Sequence, residues 1–247
     1  MNKKVVIILT GTVNPDNMAF TKLQDANVRK SQYIDSIRFW IEVAKVPIVF
    51  VENTNTDLSP YFENELYSNS IEILSFNGND YDKSLGKGYG ELNCLEYAYL
   101  NSKFIKDSEF IFKVTGRNKL INFSTFLNDY FVQSNVNILV DFKWNLSFCD
   151  SRFFGFTTSF LPEYLLPYKN IVDDSKGVFF EHILCKAALT AIAHDYVYKP
   201  LITLPRIEGY SGSTGVKYNS NYFHWLRYKY EYILKRRSIG LGNLPWI

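Results

Sequence analysis

Gly86-Lys87-Gly88-Tyr89-Gly90-Glu91 concentrates more chemistry in six residues than any other stretch of this sequence. Three glycines alternate with a cation and an aromatic at the mouth of a helical pattern. Glycine lets backbone N–H groups approach an anion, and a helix N-terminus adds partial positive charge. Lys87 adds a full charge, so Lys87 and Gly88 are candidates for a phosphate cradle. The plain alternative is a flexible strand-to-helix connection. The spacing matches neither the GxxxxGK[ST] loop nor GxGxxG after a first strand.

Lys113-Val114-Thr115-Gly116-Arg117-Asn118 is the second candidate. A lysine in a buried strand is costly unless it meets an anion or solvent, and Arg117 can present a two-pronged fork to phosphate or carboxylate. The third is Asp150-Ser151-Arg152, where adjacent opposite charges can pair or serve a substrate. The fourth is Glu181-His182 behind Phe179-Phe180, a carboxylate among aromatics that can act as a general base or simply stabilise a helix start. The fifth runs from Arg206 through Gly209-Tyr210-Ser211-Gly212 to Gly215, where hydroxyls and glycines beside an arginine suit a phosphate nest. Asp80-Tyr81-Asp82 formally offers two hard oxygens to Mg or Mn, but it sits in a turn where acidic residues are common. His182, His194 and His224 lack zinc spacing, and no GxSxG elbow is present.

These candidates sit at the ends of elements that the apolar pattern outlines. Val5–Leu9, 47–51, 71–76 and Phe110–Val114 read as strands, the first a β-branched run of the kind covered on both faces. Between them lie helical patterns, one from about Leu23 to Val43 with Tyr33, Ile37, Trp40, Ile41 and Ala44 on one stripe, another from Glu91 to Asn101. Strand-helix alternation predicts right-handed crossovers and a parallel sheet, with ligands at the carboxyl ends of the strands. That places the loops at 10–17, 52–57, 77–91 and 115–122 at the site. The second half predicts strands at 137–142 and 152–156, a helix at 178–194 and a glycine-rich turn at 209–215.

The chain has 247 residues, 47% of them apolar and 17% aromatic, enough for one substantial core. Its formal charge of +2 argues against a nucleic-acid binder, and no apolar run is long enough to span a bilayer. Two lysines ahead of a five-residue apolar run hint at a signal peptide, but no cleavage site follows and a buried strand is the better reading. Cys94, Cys149 and Cys185 have no metal spacing and read as reduced thiols in a cytosolic protein. Residues 221–247 hold five cations against Glu231 alone, interleaved with Tyr, Phe and Trp. Such a tail suits either an anionic membrane surface or a helix docked on the domain at 1–220.

Taken in order, Thr21-x-Leu23, Asp25, Arg29, Gln32-Tyr33, Trp40-Ile41, Val49-x-x-Glu52-Asn53, the glycine run at 86–91, Lys113-x-Thr115-Gly116-Arg117, Asp150-x-Arg152-Phe153, Phe180-Glu181 and Gly209-x-Ser211-Gly212 resemble small bacterial glycosyltransferases of capsule and lipopolysaccharide loci, in the GT-A superfamily. The resemblance spans about residues 5–220. It implies an α/β Rossmann-type sandwich with a mostly parallel central sheet and helices on both faces. It also implies nucleotide contacts from Thr10, Gly11, Thr12, Glu52 and Asn53, and a catalytic carboxylate at Glu181, with Asp150 as second choice. Members of that superfamily usually carry Asp-x-Asp for a divalent ion at the fourth-strand exit. This chain has Lys113-x-Thr115-Gly116-Arg117 there, so the expectation is no metal, with Mg or Mn a minor alternative. Fixed cations (Lys87, Lys113, Arg117, Arg152, Arg206), with Gly88 and Ser211, would then hold the leaving diphosphate.

The function this implies is transfer of a sugar from a nucleoside-diphosphate donor to a hydroxyl of a lipid-linked or oligosaccharide acceptor, an O-antigen or capsule glycan. It would take place in the cytoplasm, with peripheral contact at the inner membrane face. The alternative is a non-catalytic nucleotide-binding scaffold in a polysaccharide assembly complex.

Overall fold

Continuous apolar strands need cover on both faces, and the fold provides it. The computed structural model describes residues 4–133, 135–218 and 221–238, with side chains as far as residue 234. Strands β1 (Val5–Gly11), β2 (Ile48–Glu52), β3 (Ile71–Ser75) and β4 (Phe110–Thr115) are parallel neighbours in the order β3-β2-β1-β4. Helices α1 (Ala26–Val43), α2 (Glu63–Tyr67), α3 (Gly86–Asn101) and α4 (Lys103–Lys106) lie in the connections. Beyond β4 come β5 (Lys119–Leu120), α5 (Phe123–Val132), β6 (Ile138–Leu139), β7 (Phe142–Lys143), β8 (Phe148–Cys149), β9 (Phe153–Thr157), α6 (Phe180–Ala193), β10 (Tyr198–Lys199) and β11 (Ile207–Glu208). The central sheet has seven strands in the order β10-β6-β9-β4-β1-β2-β3, with β9 antiparallel to both neighbours. The fold is therefore the mixed α/β sandwich with a mostly parallel sheet that the strand-helix alternation predicts.

Alternation along β1 builds two cores. Val6 and Ile8 pack with Val49, Val51 and Ile111 under α3 and α6. Val5, Ile7 and Leu9 pack with Phe50, Phe112 and the α1 residues Tyr33, Ile37 and Trp40 on the other face, joined by Phe123, Phe126 and Tyr130 of α5. Asp25 starts α1 by accepting from the N–H groups of Asn27 and Val28 at 2.8 and 3.0 Å, three residues after the pattern predicts. Strand order reverses at β1, whose neighbours lead to β2 and β3 on one side and to β4 on the other. A crevice opens at the carboxyl ends of β1 and β4 as a result.

The largest departure from the sequence reading is the glycine run. It is the first turn of α3 rather than a loop ahead of a helix starting at Glu91. Glycine weakens a helix, but here contact decides. A Cβ on Gly88 would lie 3.0 Å from Phe180 Cβ, and one on Gly90 2.4 Å from the Tyr81 hydroxyl. Gly86 has φ of +81°, and a Cβ there would meet the Asp174 carboxylate at 2.0 Å. The predicted strand at 137–142 divides into β6 of the central sheet and β7 of a separate hairpin with β8. Helix α5 was not anticipated, because its apolar residues run together as FSTFLNDYFV without a clear boundary.

The C-terminal tail forms α7 (Tyr222–Ser238), which docks on the domain: Trp225 Nε1 donates to the Leu204 carbonyl at 3.0 Å and the Tyr232 hydroxyl to the Leu201 carbonyl at 2.9 Å. The membrane reading rests in part on the side chains of Lys235, Arg236 and Arg237 and on residues 239–247, which lie outside the described residues. Among the described residues no helix is long and apolar enough to cross a membrane.

Gly86→Ala combines an unfavourable φ with a clash against Asp174. Thermal unfolding is expected to show a loss of about 1–3 kcal/mol, roughly 2–10 °C in Tm. An unchanged Tm would contradict the glycine's assigned role.

Candidate active site

A cavity of about 370 Å³ opens at the β1/β4 crevice. Its floor is the exit of those two strands. Gly116 N–H donates to the Thr10 carbonyl at 2.9 Å, and a Cβ on Gly116 would come within 2.5 Å of that oxygen. The two turns can meet only without a side chain there. Thr10, Gly11, Thr12, Lys87, Gly88, Arg117, Asp150, Arg152, Glu181 and Ser211 all line this one cavity. Residues from six separate segments thus converge as the strand-end rule predicts.

Two arginines dominate the α1 side. Arg29 and Arg117 are each only 5% exposed. Their guanidinium carbons lie 6.0 and 5.9 Å from the centre of the Tyr33 ring. Arg29 donates from Nε to the Thr12 carbonyl at 2.8 Å and from Nη1 to the Leu23 carbonyl at 3.3 Å. Arg117 donates from Nη1 to Gln32 Oε1 at 3.0 Å, while its Nε is buried with no hydrogen-bond partner among the described residues. Among the described residues neither guanidinium has a carboxylate within ion-pairing distance. Burial, with the Arg117 charge adding to it, moves the Arg29 guanidinium below its ordinary pKa despite the opposing effects of Tyr33 and the Glu52 charge. Like charges held together in a desolvated place are costly. An anion spanning both would relieve that cost.

The carboxylates divide by what already holds them. Glu91 forms an ion pair with Lys113 and accepts from the Thr10 hydroxyl at 2.8 Å. Asp150 accepts from Arg152 Nε at 2.9 Å and from Lys143 Nζ at 2.9 Å. Burial opposes the Asp150 charge, but the Arg152 fork and the Lys143 ammonium overcome it and hold the carboxyl well below the usual range. Cations engage both Asp150 oxygens, which disfavours a proton-accepting role for it. Glu181, in the first turn of α6, accepts from the Ser151 hydroxyl at Oε1 at 2.8 Å. Asp174 was not singled out in the sequence. It is buried in a short helical turn, and its pKa is pushed up to about 6, first by burial and then by the Glu181 charge, against the pull of Lys87.

Several expected contacts are reassigned. Lys113 is fully buried, donating to the Ser151 carbonyl at 2.7 Å and pairing with Glu91, which itself lines the cavity. It is a structural cation, not a ligand for a diphosphate. Glu52 is fully buried and accepts from Val13 N–H at 2.9 Å and Thr56 N–H at 2.8 Å, which organises the loops after β1 and β2. Asn53, also fully buried, donates to the Gly90 carbonyl at 3.3 Å. Neither lines the cavity. Arg206 lies over the Tyr222 ring at 5.6 Å and is likewise outside the lining. Lys87 stands exposed at the rim, bonded to the Ser213 hydroxyl of the 209–215 loop. The N-terminus of α3 already receives the Asp174 carboxylate at Lys87 N–H, so the glycine run is a packing device and not an anion cradle.

Of the carboxylates, Glu91 and Asp150 are committed to cations, Asp80 and Asp82 are exposed in a separate turn, and Asp174 and Glu181 line the cavity; among the described residues no group of three His, Cys, Asp or Glu could hold a metal.

No protein-family model and no curated protein matches the chain. Among solved structures it is similar to a cytidylyltransferase from Leptospira borgpetersenii, with 15% identity, TM-score 0.45 and 100% of both chains covered. A putative glucose-1-phosphate thymidylyltransferase from Bacillus anthracis gives 8% identity and TM-score 0.46 over 99% of this chain and 97% of that one. Core-mannan synthase A from Aspergillus fumigatus gives 11% identity and TM-score 0.40 over 83% and 76%. At these values a likeness says nothing of substrate or residue roles.

Asp174 generates a pH prediction. Between pH 3.8 and about 6 the unfolded chain has released this proton while the folded chain retains it. Stability from this group therefore falls as pH rises through that window. Asp174→Asn should gain in Tm relative to the parent across the same window in paired melting curves, and a pH-independent difference would contradict the assignment.

Proposed function

We propose that this protein is a glycosyltransferase using a nucleoside-diphosphate sugar. The observation that carries the reading is the unpaired Arg29–Arg117 couple on Tyr33 at the β1/β4 exit. Two buried guanidiniums match the two charged groups of a diphosphate, and forked donors suit phosphate oxygens. The exposed Lys87 and the hydroxyls of the 209–215 loop extend the positive wall to the rim.

Charge grows on the diphosphate as its bond to the sugar anomeric carbon breaks. Donors fixed in place beforehand stabilise that growing charge without reorganising. In the same displacement an acceptor hydroxyl oxygen forms the new bond to the anomeric carbon, and its proton passes to the Glu181 carboxylate. Ser151 orients that carboxylate through its 2.8 Å hydrogen bond. Arg152 and Lys143, both lining the cavity, are engaged by Asp150. The acceptor of this reading is a saccharide of a bacterial surface glycan.

UDP, GDP and CMP are to be titrated against melting temperature, and the matching sugar nucleotides assayed for hydrolysis and transfer. The cognate nucleotide should add about 2.7 kcal/mol at 100 times its Kd. Arg117→Ala should lose about 100-fold or more in kcat, and Glu181→Gln most of the turnover while still binding nucleotide. Full turnover in Glu181→Gln breaks its role. Nucleotide binding with no transfer favours a scaffold, and pyrophosphate release from a nucleoside triphosphate with a sugar 1-phosphate favours nucleotidyl transfer.

A further inference from the structure

Part of the same cavity wall is aromatic. Hairpin β7-β8 turns through Trp144-Asn145-Leu146-Ser147, and Trp144 at its tip is 69% exposed although it lines the cavity. The Trp144 ring lies 4.4 Å from Phe148 between centroids, Phe148 lies 5.5 Å from His182, and His182 stacks on Phe179 at 5.6 Å. The run of rings ends at the first turn of α6, where Glu181 sits between Phe180 and His182. Trp144, Phe148 and Phe179 share the cavity with Glu181.

The tip is built to keep that ring out in solvent. Trp144, Asn145 and Leu146 have φ of 47°, 55° and 60°, the only three consecutive non-glycine residues in the left-handed region among those described. Such backbone is disfavoured for aromatic and branched residues. It is held by the Ser147 hydroxyl donating to the Trp144 carbonyl at 2.7 Å and by the Cys185 thiol of α6 donating to the Leu146 carbonyl at 2.9 Å. The second bond fixes the tryptophan to the helix that carries Glu181. An exposed aromatic held in disfavoured backbone at a cavity rim has no folding advantage to explain it.

We propose that Trp144, backed by Phe148, is the platform for a pyranose ring of the acceptor. The C–H face of a pyranose is apolar and flat enough to lie on an indole, while its hydroxyl edge needs polar neighbours. Lys143, Ser151 and Glu181 border the aromatic run and supply them. A ring seated there turns a hydroxyl toward Glu181, with the diphosphate held across the cavity by Arg29 and Arg117. The inference rests on the glycosyltransferase reading and names the acceptor class of that site.

Saturation-transfer NMR on the full chain, with methyl pyranosides of glucose, galactose, mannose and N-acetylglucosamine, tests it in the presence and absence of UDP, GDP and CMP. At least one pyranoside should receive saturation through its ring C–H protons. Its affinity should fall about fivefold or more in Trp144→Ala and be largely kept in Trp144→Phe. Nucleotide-induced melting shifts of Trp144→Ala should equal the parent's, showing that the fold and the arginine pair are intact. The proposal is overturned if no pyranoside binds, if binding is indifferent to Trp144→Ala, or if unphosphorylated ribonucleosides rather than pyranosides are lost in that variant. Absence of any nucleotide response, with pyranoside binding intact, would instead count against the donor reading alone.

Discussion

Arg29 and Arg117 are buried on the same Tyr33 ring at the point where the sheet reverses direction, and among the described residues no acidic side chain is within ion-pairing distance of either. Elsewhere around the cavity the rule that buried charges find partners is obeyed. Lys113 has Glu91, and Asp150 has Arg152 and Lys143. Arg29 and Arg117 are hydrogen-bonded enough to be held in place, by Thr12, Leu23 and Gln32, but not neutralised. A fold that keeps such a pair gives up stability when empty and regains it when an anion arrives.

The rest of the architecture serves that pair. Glycine at 116 lets the β4 turn close on Thr10, and Ser36 and Trp40 of α1 both donate to the Asn118 carbonyl, at 3.2 and 2.9 Å. Those bonds tie the turn carrying Arg117 to the helix carrying Arg29. At the cavity wall, Lys113 joins β4 to Glu91 of α3, while Thr10 of β1 reaches the same carboxylate. The opposite wall comes from the irregular second half of the chain, where α6 presents Glu181 and the β7-β8 hairpin presents Trp144. The parallel half thus brings Arg29 and Arg117 to the cavity, and the second half brings Glu181 and Trp144 to it.

The parallel half was largely legible in the sequence. Runs such as VVIIL and IVFV can only be covered strands, and the 3.6-residue stripe through Tyr33, Ile37 and Trp40 marked the buried face of α1. Arg117 and Glu181, picked out because each stands at an element's end, both line the cavity. What escaped depended on which charge meets which. Lys113 and Arg117 look alike in sequence, yet one is paired and the other is not. Arg29 could have been found, since it lies four residues before Tyr33 on the same stripe, and a cation on an apolar face is itself a signal. Asp174 sits in a three-residue helical turn with no periodic context, so its burial was invisible. The glycine run misled because the contacts that require it, with Phe180, Tyr81 and Asp174, come from distant parts of the chain.

The most direct test compares Arg117→Met with the parent in melting curves recorded with increasing inorganic pyrophosphate. Without the anion, the variant should be as stable as the parent or more so, because a buried charge with no acidic partner has been removed. With it, the parent's Tm should climb steadily while the variant's stays nearly flat. A variant that is markedly less stable when empty, or that gains as much from pyrophosphate as the parent, would contradict the account.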